Sequence, residues 1–118
     1  MLKRVNRLKK RYQFSYVYKA GNHFSGKAMV LYATTSKTKD IKVGFAVTKK
    51  IGKAIKRNLV RRRLREIVKK QLPNLKQNYN IILVARDNVS NFSFEELSKQ
   101  FSDLVKKAEI LLEDEKNS

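Results

Sequence analysis

Residues 49–70 read KKIGKAIKRNLVRRRLREIVKK, with eleven Lys or Arg and a single acid, Glu66, in 22 positions. Cationic groups at this density suit one task above others, the neutralisation of a polyanion. Arginine's planar fork grips phosphate oxygens two at a time, whereas lysine offers a point charge. Like charges three and four residues apart on a helix repel, so the empty helix bears a standing cost that bound phosphates relieve. At about 100° per residue, Asn58, Arg61, Arg62, Arg65 and Lys69 share one edge of a helix over 57–72. Val60, Leu64, Ile67, Val68 and Gln71 share another, and its apolar members face a sheet. Lys49, Lys50, Lys53, Lys56 and Arg57 extend the basic edge upstream. Asn58 adds a short donor and acceptor near the helix start, where backbone N–H groups also attract anions. Gly52 lets the loop bring its backbone close to a phosphate. A merely solvated face would mix signs. One acid against eleven bases favours nucleic acid, with a solvated face and an acidic lipid surface as weaker readings.

Hydrolytic chemistry has no comparable concentration of groups. Cleaving a phosphodiester calls for clustered carboxylates holding metal ions, or a histidine-based acid and base. The first 86 residues contain two acids, Asp40 and Glu66, and the chain's one histidine, His23, follows Gly21 and reads as a loop residue. There is no nucleophile triad, P-loop or metal constellation. The spacing therefore points to binding, with no catalytic residue and no dedicated metal site in this chain.

The elements that must position these groups follow from periodicity. A short helix over about 9–20 stops at Gly21 and carries Phe14, Val17 and Tyr18 at i, i+3 and i+4. AMVLYATT (28–35) and IKVGFAVT (41–48) read as strands, and the polar SKTKD between them as a turn. The basic helix ends before Pro73, and IILVAR (81–86) fits a buried central strand. Ser93 with Glu96 makes a capping box, with Phe92 and Leu97 as its hydrophobic staple. Leu97, Phe101, Leu104, Val105, Ala108, Leu111 and Leu112 then keep helical spacing. Strands flanking a helix make a crossover unit in a small two-layer α+β sandwich.

Composition agrees. The chain has 118 residues, 42% hydrophobic, with a net charge of +18, which fits one domain with a real core. Residues 87–118 hold eight acids and four bases, so the basic charge belongs to the part before them. Lys3, Arg4, Arg7, Lys9, Lys10 and Arg11 form a basic N-terminal arm, and 113–118 an acidic flexible tail. No apolar run approaches the roughly 20 residues that span a bilayer, no signal-peptide core follows the early bases, and cysteine is absent. These features are compatible with the cytoplasm and with no obligate protein partner.

At this point the sequence resembles the bacterial ribonuclease P protein subunit family. KKIGKAIKRNLVRRRLRE is similar to its signature of paired lysines, a glycine and an Arg-Asn-Arg core. RLKKRYQFSYVYKAGNHFSGKAMVLY is similar to its opening, and NIILVAR to its third block, with order and spacing matching over roughly 3–112. Leu59 departs from the pattern, standing where the family usually has Arg or Lys. The resemblance implies a central β-sheet flanked by helices, with a left-handed βαβ crossover. It also implies a role as protein cofactor of a catalytic RNA that removes the 5′ leader of precursor tRNA, with Mg²⁺ mainly on the RNA. The Arg/Asn helix would meet that RNA, and a cleft between the first helix and the sheet would hold the single-stranded leader. Phe14, Val17, Tyr18 and Tyr32 are the cleft residues so implied. Aromatic platforms in basic grooves hold single strands without sequence preference. The competing reading makes the stripe plain core, and it is strongest for Val17. A ribosomal-type RNA-binding protein and a DNA-compacting protein remain the alternatives.

Overall fold

The computed structural model describes residues 3–112, and the expected acidic tail over 113–118 lies outside them. Strands β1 (Asn22–Ser25), β2 (Met29–Thr35), β3 (Lys42–Ala46) and β4 (Tyr79–Ala85) form one sheet in the order β1-β2-β4-β3. β2 is antiparallel to both β1 and β4, and β3 runs parallel to β4. Helices α1 (Arg11–Ala20), α2 (Ala54–Gln71) and α3 (Phe94–Lys107) complete an α+β fold. The parallel pair β3–β4 makes α2 the crossover helix, since parallel neighbours need a long connection.

Alternation along the strands divides the core. Met29, Leu31 and Ala33 of β2 join Val43 of β3 and Ile81, Leu83 and Ala85 of β4. They pack with Val60, Leu64, Ile67 and Val68 of α2 and Leu97, Phe101, Leu104 and Val105 of α3. The intervening positions turn to the other face, where Ile82, Tyr32, Ala46 and Val84 meet Leu8, Phe14 and Val17. A strand buried on both faces must be apolar at successive positions, which is why Ile81, Ile82 and Leu83 are consecutive and fully buried in central β4. The expected two layers describe the sheet with α2 and α3, and α1 adds a partial third layer over the opposite face.

Several expectations need correction. The segment after Gly21, expected as loop around His23, is strand β1. With one half-buried residue, Phe24, and three exposed ones, so short an edge strand carries almost no hydrophobic pattern. Helix α2 starts at Ala54, three residues before 57, and α3 ends at Lys107. Glu109 then takes φ 58°, turning the chain so that Leu111 pairs with Leu75 and Leu112 is half-exposed. Leu111 and Leu112 therefore leave the helical stripe to close a bridge. Nor is the basic arm free. Asn6 is buried and donates from Nδ2 to Ile41 O at 2.8 Å, Arg7 bridges to Val43, and Leu8 N donates to Val43 O at 3.0 Å. Two non-basic residues, Asn6 and Leu8, thus anchor the basic ones along the edge of β3. Among the described residues, no helix is long and apolar enough to cross a membrane.

Candidate nucleic-acid interface

The basic helix is built outward from its core stripe. Burial of Val60, Leu64, Ile67 and Val68 fixes its rotation, and the spacing then sends Asn58, Arg61, Arg62, Arg65 and Lys69 along one outer edge. Asn58 Oδ1 accepts from Arg61 Nη1 at 2.9 Å, which orients one guanidinium before any ligand arrives. Lys49 and Lys50 are exposed on a tight turn before the helix, and Lys53 is its N-cap residue without a side-chain cap bond. Gly52 has φ 145°, a conformation that L side chains rarely adopt. Its role is to turn the backbone between Lys50 and Lys53. Lys56 does not extend the stripe as expected. It shares a separate line with Arg63 and Lys70, spaced by seven residues on the opposite flank. Lys70 in turn lies over the Phe94 ring of α3 at 5.1 Å. Arg57 is half-buried with its Nε shielded and unpartnered, so it lies at the stripe's inner margin. Leu59 and Ile55 are exposed beside the stripe.

On the other side of the sheet, α1 and β2 carry the aromatic residues of the expected cleft. Phe14 lies over Gly44 of β3, where an added Cβ would stand 2.5 Å from Phe14 Cζ. Only glycine leaves room for the ring to rest on the strand. Tyr18 and Tyr32 meet edge-to-face, ring centroids 4.8 Å apart with planes at 84°. Burial, with Tyr32 adding to it, pushes the Tyr18 phenol above its ordinary range, yet the side chain keeps 40% of its surface. Val17 has no exposed surface. It belongs to the core beneath the cleft and has no surface to offer a ligand, which corrects its place among the contact residues. His23, assigned to a loop from sequence, lies on β1 directly opposite Tyr32, its ring 5.7 Å from the tyrosine's. No sequence pattern flagged it, because the strand that carries it is so short.

Stripe and cleft are not separate sites. Arg7, Lys9, Phe14, Gly44, Phe45, Arg61 and Arg65 line one recess of about 230 Å³ with Leu8 and Val43. Arg65 lies 5.9 Å above the Phe45 ring. Its pKa is lowered first by burial, then by the Arg7 and Arg61 charges. Three arginines from two distant segments thus converge beside Phe14. Lys3 and Arg4 open the segment, Lys9 and Lys10 precede α1, and Arg11 begins it, all exposed. The backbone N–H groups of Lys9 and Lys10 donate to Gln13 Oε1 at 3.2 and 3.0 Å, which fixes how they enter the helix. Among the described residues, no cluster of three or more His, Asp or Glu could hold a metal ion.

Fold and site together define a small basic α+β domain with an arginine stripe on its crossover helix and an aromatic cluster on the opposite face of the sheet. The family profile described as Ribonuclease P matches residues 2–109, and the chain belongs to that family. A ribonuclease P protein component of Natranaerobius thermophilus is 36% identical over 104 residues, covering 88% of this chain and 90% of the relative. One from Clostridioides difficile is 37% identical over 108 residues, covering 91% and 95%. The solved Staphylococcus aureus RNase P protein superposes with a TM-score of 0.83 at 26% identity, over 90% of this chain and 97% of that one.

Proposed function

We propose that this chain is the protein subunit of a ribonuclease P ribonucleoprotein, acting in the cytoplasm on precursor tRNA. In this reading the α2 stripe and the residues before it dock on the catalytic RNA. The cleft of Phe14, Tyr18 and Tyr32 takes the single-stranded 5′ leader. The catalytic RNA supplies the cleavage chemistry, with Mg²⁺ on its phosphates. This chain's residues bind and orient: the arginines screen phosphate charge, and the rings hold the leader by stacking, which tolerates any base.

One observation carries the reading. The arginine stripe and the aromatic cleft meet at the recess of Arg7, Arg61, Arg65 and Phe14, so an RNA docked on the stripe and a strand in the cleft would be neighbours. A general polyanion binder needs the charge but not an aromatic cleft joined to it. The test is binding to precursor tRNA, mature tRNA and duplex DNA, each with the catalytic RNA present. Tighter binding of the precursor is the expected result. Equal affinity for precursor and mature tRNA would remove the leader site, and comparable affinity for duplex DNA would favour a general nucleic-acid binder.

A further inference from the structure

His23 is the chain's only histidine, and neither the core nor the arginine recess uses it. Its strand, β1, is the free edge of the sheet. Register places it directly opposite Tyr32, so both side chains leave the same face of the antiparallel pair. The two rings are 5.7 Å apart with planes inclined by only 33°. Tyr18 meets the same Tyr32 edge-on, at 84°. Tyr32 is therefore flanked by two rings of different attitude: one closes the cleft as a wall, and the other continues its floor towards the edge.

A core role does not account for His23, because the residue is exposed. A metal role fails for want of companions among the described residues. A carboxylate from its own segment is also excluded, since the chain has no Asp or Glu before Asp40. What remains is an exposed aromatic surface adjoining the aromatic residues of the proposed cleft, in a stretch that carries no acid before Asp40. Neighbouring strands lie about 4.8 Å apart, so a single strand crossing from β2 to β1 meets the imidazole within about one nucleotide of Tyr32.

We propose that His23 is a further stacking position for single-stranded RNA, taking the leader base upstream of the one held at Tyr32. The leader then leaves the protein over the free edge of β1. This inference rests on the leader-binding reading of the cleft and extends it by one nucleotide.

The test uses full-length protein assembled with the catalytic RNA and a series of precursor tRNAs whose leaders lengthen by one nucleotide. Wild type should gain affinity stepwise until the platform is filled. His23→Ala should lose only the last step, about five- to tenfold, with binding of shorter leaders and the melting temperature unchanged. His23→Phe should restore that step, and His23→Gln, which keeps a polar group without a ring, should not. The inference is overturned if His23→Ala matches wild type at every length, or if Gln restores the step and Phe does not. If wild type itself gains nothing from any leader, the cleft reading fails first and takes this one with it.

Discussion

Phe14 and Gly44 act as a pair, because the ring rests where any other residue at 44 would place a Cβ. Sequence spacing leaves Phe14 open between core and ligand contact, and the half-buried ring packs on the sheet while keeping surface for the proposed leader contact. Phe14→Ala is therefore expected to cost about 1–2 kcal/mol of stability, less than a fully buried phenylalanine, as well as leader affinity. Phe14→Leu separates the two: denaturant melts should show most of the stability returned, while leader binding stays weak. Gly44→Ala should reproduce the leader defect by displacing the ring, although residue 44 itself offers a ligand no side chain. Wild-type leader affinity in Gly44→Ala would contradict that coupling. Tyr18 gives a spectroscopic check on the same cleft. Its raised pKa favours the neutral phenol in the folded state. The resulting stability is present below the ordinary tyrosine range and is lost as pH rises through the raised value. Tyr32→Ala, by removing the neighbouring phenol and exposing Tyr18, should bring the Tyr18 titration back towards normal in an ultraviolet absorbance titration.

Helix α2 was legible as an element because its two stripes, four buried apolar residues and a basic edge, obey one helical period. What the period could not give was the company it keeps. Arg7 is 54 positions before Arg61 in the chain, and only the register of Arg7 with Val43 brings them to one recess. The same limit hid β1, whose four residues offer no alternation to read, and the turn at Glu109 that takes Leu111 and Leu112 out of α3. For α2 the expected outcome concerns salt. Arg61→Ala with Arg65→Ala should weaken binding to the catalytic RNA and flatten its logarithmic salt dependence, by about 0.7–0.9 per lost phosphate contact. An unchanged slope would take both arginines out of the interface. For α3, Ser93 Oγ accepts from Glu96 N at 3.1 Å and Glu96 Oε1 accepts from Ser93 N at 2.8 Å, the capping box read from sequence. Ser93→Ala should cost about 1 kcal/mol. The hydrogen bonds from Ser93 hold Glu96 below its ordinary pKa. That contribution is present above the carboxylate range and is lost as pH falls through the lowered value. Ser93→Ala keeps the backbone N–H bond, the larger cause, so Glu96→Gln, which removes the carboxylate itself, should lose less stability on acidification than wild type or Ser93→Ala does.

At the scale of the whole molecule, charge and architecture divide the labour. The first 86 residues hold 24 of the 28 bases and two of the ten acids, and the acidic remainder includes α3, which packs beside α2 on one face of the sheet. The sheet keeps stripe and cleft on different faces, and the N-terminal segment, pinned along β3, connects them at its edge. The most direct measurement of the central claim is a reconstitution at low Mg²⁺, combining the catalytic RNA from the same source, a precursor tRNA and this protein, and following release of the 5′ leader. Cleavage is expected to be slow with RNA alone and to rise sharply when the protein joins it. Binding of both RNAs with no acceleration of cleavage would contradict that claim and would make the basic helix a general RNA handle.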